Sequence, residues 1–82
     1  THPGEILLEE FIKPMGITQG ELARKMGVQV RTVNALVKQR RDVTAETAVR
    51  LGRALNTSSE FWMNLQTTCD LFEANKKLRK VA

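Results

Sequence analysis

The sequence predicts an all-α fold, five helices packed as one domain over residues 1–82. Three observations carry this expectation. Apolar residues recur at helical spacing in five stretches, breaks of Pro, Gly, Thr and Asn separate those stretches, and no run alternates with the two-residue period of a strand. A chain of 82 residues has room for one modest core, and with 41% hydrophobic and 27% charged residues it has an ordinary globular balance.

The elements follow in order. Pro3 suits the first position of a helix because its missing N–H would be unpaired there. Leu7 with Phe11 and Leu8 with Ile12 share a face, so the first helix is expected over residues 3–12, ended by the bias of Pro14 against a helical Lys13. Thr18 and Glu21 form a T-x-x-E capping pattern just before Leu22, Ala23 and Met26, and Gly27 permits the left-handed exit from that second helix. Val30, Val33, Leu36 and Val37 give a short third helix ending at Lys38. Gln39 to Val43 reads as too polar for the core. Thr44 then caps a fourth helix with Ala48, Leu51 and Leu55 inward, and Asn56 closes it. Thr57 or Ser58 caps a long fifth helix, about residues 58–79, along which Trp62, Leu65, Cys69 and Phe72 fall three or four apart.

Charge and residue inventory narrow the function. Eight basic residues from Arg24 to Arg53 face only Asp42 and Glu46, a net +6 in a chain whose total is +4. A second basic cluster, Lys76, Lys77, Arg79 and Lys80, closes the sequence, while Glu5, Glu9 and Glu10 make the first helix acidic. Such a mid-chain excess favours an acidic partner. Cys69 is the lone cysteine and has no disulfide partner, no apolar run approaches the roughly 20 residues of a membrane span, and no signal-peptide pattern opens the chain; a cytoplasmic, non-membrane protein is expected. His2 and Cys69 lack companions at metal-ligand spacing. With one histidine and no tyrosine, no catalytic set, metal site or cofactor site is expected, and an enzyme is disfavoured.

The second and third helices, joined by a short glycine-containing turn, form a helix-turn-helix over residues 18–38. Packing two helices so closely dictates residue types. Ala23 is small where the third helix passes, Gly27 accepts the turn, and Leu22, Met26, Val28, Val33 and Leu36 supply the apolar contact. All seven positions comply.

Residues Gln19 to Lys38 resemble the phage-repressor (Xre and Cro) type of helix-turn-helix. The wider chain resembles the HigA and VapI class of antitoxins through His-Pro-Gly-Glu-Ile-Leu at 2–7, Gly-Ile-Thr-Gln at 16–19, Thr-Ala-Glu-Thr-Ala at 44–48 and Ser-Ser-Glu-Phe-Trp-Met-Asn-Leu-Gln at 58–66. It departs from that class at Ser59, where proline is common, and at Gln29, a weak capping residue. The resemblance implies a repressor-like fold and an antitoxin that binds a ribonuclease toxin and, as a homodimer on a palindromic double-stranded DNA operator, represses the operon encoding both. It also implies that base edges are met by Gln29, Val30, Arg31, Thr32 and Ala35, with Asn34 adjacent.

Chemistry grades these positions. Arg31 has a planar fork that matches guanine, whereas Val30 and Ala35 offer only apolar contact to a thymine methyl. Thr18 and Gln19 sit at a helix start where side chain and amides grip phosphate, although Thr18 is equally explained as a cap. Lys38, Arg40 and Arg41 are expected beside the DNA backbone, against the plainer reading of a solvated charge run. Phe61 and Trp62 read as core, and Leu71 and Phe72, left over once one helix face is buried, as the dimer contact. Two rivals stand beside this reading: a stand-alone or phage-type repressor without a toxin, and a protein-interaction module that uses the acidic first helix or the aromatic fifth.

Overall fold

A computed structural model describes the backbone of residues 2–81 and the side chains of residues 2–79. The side chain of Lys80, the last of the terminal basic cluster, lies outside the described residues. Among them are five helices and no strand: α1 (residues 3–15), α2 (Gln19–Met26), α3 (Val30–Val37), α4 (Ala45–Leu55) and α5 (Ser59–Val81).

Helix α1 is longer than its sequence suggests. Pro3 takes the first position, and His2 Nδ1 accepts the Gly4 N–H at 2.9 Å as the cap. The helix then passes through Pro14 and stops only at Gly16, whose φ of 65° is left-handed. A π-helical stretch, Leu7–Ile12, makes this passage feasible. There the Lys13 N–H bonds the Leu8 carbonyl five residues back, and the widened ladder accommodates a proline ring that would crowd a normal α-turn. Lys13 keeps a helical φ of −65° and ψ of −52°. The same five-residue period turns Leu7 and Ile12 into the core, 1% and 6% exposed, while Phe11 packs at its rim. The expected end at Ile12 and the expected pairing of Leu7 with Phe11 are both overturned by this widened turn.

Caps stand where the local pattern placed them. Thr18 Oγ1 accepts the Glu21 N–H at 3.0 Å while Glu21 Oε1 accepts the Thr18 N–H at 3.2 Å, and Gly27, with φ 73°, ends α2. Thr44 Oγ1 accepts the Thr47 N–H at the start of α4, and Asn56 closes it in the left-handed region. For α5 the cap is Ser58, whose Oγ accepts the Phe61 N–H at 3.0 Å. Thr57 serves otherwise, accepting the Trp62 indole N–H at 2.8 Å.

The core lies between α1 and the other four helices, with Leu7, Leu22, Val33, Leu36, Leu51 and Trp62 at 1% exposure or less. Two glycines let backbones meet. A Cβ at Gly4 would fall inside the Leu36 carbonyl of α3, and one at Gly52 would stand 2.8 Å from the Thr57 carbonyl. Val43, read from sequence as part of a polar connection, is instead buried at 4%. It precedes the Thr44 cap, four residues after which stands fully buried Ala48, the arrangement of a hydrophobic staple. In α5 the predicted apolar stripe holds only at its start. Trp62 is buried, Leu65 and Cys69 are half-buried, Phe72 is exposed, and the second fully enclosed position belongs to Gln66.

Candidate nucleic-acid interface

Helices α2 and α3 are locked together by Leu22, Ala23 and Met26 from one and Val33 and Leu36 from the other, all buried, with Val28 of the turn packed against them. This leaves the rest of α3 outward. Val30 and Arg31 are exposed, while Thr32, Asn34 and Ala35 are half-buried beside them. Gln29 holds the capping position with φ −77° and ψ 150° but makes no side-chain cap bond. The Thr32 N–H reaches the Gln29 carbonyl at 2.9 Å, so among the described residues the Val30 and Arg31 amides are left without a protein acceptor. Helix α3 therefore starts bare.

Thr18 and Gln19 are set at the start of α2, close to the middle of α3. Gln19 Oε1 accepts an amide N–H of Asn34 at 3.3 Å, which brings together one expected phosphate contact and one expected base contact. The bond holds Asn34 against α2. Arg31 and Val30 have no such tie.

Beyond α3 the chain folds back instead of running free. The Gln39 N–H bonds the Leu36 carbonyl at 3.0 Å, the Arg40 N–H bonds the Ala35 carbonyl at 2.9 Å, and Gln39 adopts a left-handed φ of 61°. Lys38, Arg40 and Arg41 are exposed on this loop. At its far end the Val43 N–H donates to Gln66 Oε1 at 2.8 Å, and Gln66 Nε2 in turn donates to Asp70 Oδ1 at 2.9 Å. Asp42 lies 3.6 Å from His2 Nε2.

Charge on this surface is unneutralised. Among the described residues the ion pairs are Lys13 with Glu9 and the long contact of His2 with Asp42. Arg24, Lys25, Arg31, Lys38, Arg40 and Arg41 pair with no carboxylate. Exposed cations without a paired carboxylate attract a polyanion. Arg50 is an exception that the charge count misses: its guanidinium donates to the Met26 and Gly27 carbonyls at 2.8 and 3.4 Å, satisfying the end of α2. Its partners lie 23 and 24 residues away, so no local pattern announces the bond.

Leu71 and Phe72 stand on the overhanging half of α5, 59% and 64% exposed, with Leu78 at 65% farther along. Among the described residues no group of His, Cys, Asp and Glu could hold a metal ion, and no helix is long and apolar enough to cross a membrane.

Comparison with known proteins gives a consistent picture. A helix-turn-helix family model matches residues 8–62. Antitoxin HigA-1 of Vibrio cholerae is 40% identical over 79 residues, 96% of this chain and 74% of that protein. The solved structure of antitoxin GraA is 49% identical and superposes with a TM-score of 0.90 over 94% of this chain and 83% of its own. PA4674 of Pseudomonas aeruginosa, crystallised in complex with its operator DNA, is 44% identical with a TM-score of 0.93 over 98% and 88% of the two chains. The repressor-like fold and the resemblance to HigA-type antitoxins, both read from sequence, agree with these matches.

Proposed function

The chain belongs to the helix-turn-helix family, among the HigA-type antitoxins, and from that premise we propose that it is a homodimeric repressor of its own operon that also neutralises a ribonuclease toxin. The observation that carries the DNA part is the set of exposed, unpaired cations on α3 and the loop behind it, next to the bare start of α3. In the proposed complex α3 lies in the major groove. Arg31 donates two hydrogen bonds to a guanine, Gln29 and Thr32 meet neighbouring base edges, and Val30 and Ala35 touch thymine methyls. Asn34 contacts a base edge only as far as its bond to Gln19 allows. Thr18, Gln19, Lys38, Arg40 and Arg41 take phosphates, which position the helix without reading sequence. Similarity to proteins named antitoxin, of which GraA is also solved in complex with its operator, supports the same reading.

Arg31→Ala is expected to weaken binding to the operator by about 1–3 kcal/mol and to relax preference at one base pair, leaving nonspecific binding nearly unchanged. Arg40→Ala or Arg41→Ala is expected to weaken binding to every sequence and to reduce the salt slope by roughly 1. Fluorescence anisotropy with the DNA upstream of the gene, over a salt series, separates the two behaviours. Equal weakening of all sequences by Arg31→Ala would move Arg31 to the phosphate set.

A single short helix reads few base pairs, and a two-fold dimer presents two helices about 34–36 Å apart, or a multiple of that. Leu71 and Phe72 supply the apolar contact in this proposal. Because both side chains are already exposed in the monomer, Leu71→Glu with Phe72→Glu is expected to leave the fold intact and halve the mass seen by light scattering. An unchanged dimer moves the contact elsewhere. Toxin neutralisation is tested by co-expression with the product of the adjacent reading frame: co-purification and loss of RNA cleavage are expected, and no complex would favour the stand-alone repressor.

A further inference from the structure

We propose that Gln66 and Asp70 of α5 are positioning residues for operator binding, holding the far end of the loop from which Arg40 and Arg41 reach phosphate. The inference rests on the DNA-binding reading above. Its starting point is a polar side chain where the apolar stripe of α5 should continue. Gln66 is 4% exposed, and a buried amide costs stability unless both of its ends are satisfied. Both are. The Val43 N–H donates to Oε1 at 2.8 Å, and Nε2 donates to Asp70 Oδ1 at 2.9 Å.

An amide can be turned end for end, so something must choose its direction. Val43 and Asp70 do so together, because a backbone N–H only donates and the carboxylate oxygen accepts. Reversing the amide would set oxygen against oxygen at Asp70 and N–H against N–H at Val43, so the exposed carboxylate one turn away reinforces the direction in which an acceptor faces the loop. Val43 is held twice over, by this bond and by its own buried side chain. The other end of the loop is fixed on α3 by the Gln39 and Arg40 amides. Between these anchors lie Arg41 and Asp42, with Arg40 on the anchor itself. Cations on a backbone fixed at both ends are pre-organised for phosphate, whereas cations on a loosened loop must be ordered at the moment of binding.

The test compares Asp70→Ala with Asp70→Asn. Both remove one negative charge, so both gain equally from long-range attraction to DNA; only asparagine keeps an acceptor for Gln66 Nε2. In Asp70→Ala the Val43 amide is expected to exchange with solvent about tenfold faster than in Asp70→Asn. Operator affinity is expected to be roughly five- to tenfold lower than in Asp70→Asn at equal salt, with a salt slope smaller by roughly 1. Indistinguishable exchange and affinity in the two variants would overturn the proposal. Faster exchange at Val43 in a protein whose wild type binds no operator would overturn the DNA reading and leave the pair a purely structural role. A monomeric Asp70→Ala in light scattering would reassign Asp70 to the dimer contact, again overturning it.

Discussion

Replacing Trp62 with alanine is expected to cost about 4 kcal/mol of folding stability. The indole is fully enclosed, its centroid 5.2 Å from that of Phe11 and 5.0 Å from that of Phe61, and its N–H bonds the Thr57 hydroxyl at 2.8 Å. Truncation therefore opens a cavity beside the Phe11 and Phe61 rings and leaves Thr57 without its donor. A domain of this length has roughly 4–12 kcal/mol in total, at about 0.05–0.15 kcal/mol per residue, so the variant should stand at the edge of unfolding. Trp62→Phe keeps most of the volume and loses the hydrogen bond, with an expected cost of about 1–2 kcal/mol. Urea unfolding followed by far-UV circular dichroism measures both. A loss below about 1 kcal/mol for alanine would mean that the junction of α1 with α5 lies outside the cooperative core.

Gly4→Ala is expected to destabilise by about 2–3 kcal/mol, although alanine is the better helix former. Intrinsic propensity favours alanine by about 1 kcal/mol. Against this, the new Cβ would fall inside the Leu36 carbonyl and stand 3.2 Å from His2 Nδ1. A side chain could swing away, but the Leu36 carbonyl belongs to the backbone and accepts the Gln39 N–H at the start of the basic loop. Helix α1 must therefore move off α3, at a cost in the upper part of the 1–3 kcal/mol range for overpacking, or beyond it. Gly20→Ala provides the opposite sign. At that exposed site in α2 the nearest atom to a Cβ is Thr18 Oγ1 at 3.8 Å, so a gain of up to about 1 kcal/mol is expected. Denaturant midpoints at constant m-value compare the two; a neutral Gly4→Ala would show that α1 and α3 tolerate a wider separation.

Much of the fold is legible in the sequence because it is written locally. The Thr18 and Glu21 box, Gly27, Thr44 and Asn56 each act on amides or carbonyls within a few residues, so spacing alone locates them. The exposure of Val30 and Arg31 also follows, because burying Val33 and Leu36 on a 3.6-residue period leaves those neighbours outward. Pro14 misleads because its penalty presumes a normal α-turn, and the π-helical stretch over Leu7–Ile12 removes that premise. Val43 misleads because its polar neighbours mask it, whereas its staple spacing to Ala48 is the better signal. Arg50 and Gln66 act across 23 or 24 residues of chain. Such pairs exist only once the helices have packed, which is why a count of basic residues mistook a structural arginine for surface charge and a stripe of apolar residues skipped its one buried amide.

The bare start of α3 makes heat stability and ligand grip draw on the same two amides. A serine or aspartate in place of Gln29 would set a side-chain acceptor beside them in the free protein, a change that ordinarily adds about 1 kcal/mol. In the proposed complex those amides, carrying the positive end of the helix dipole, are among the groups nearest the DNA, so a side chain that satisfied them internally would compete with the ligand. In that complex the stability forgone by the free protein is supplied by the ligand, since binding to the folded state alone stabilises it. Position 29 is thus a place where selection for a hardier chain and selection for a tighter hold on its target pull in opposite directions.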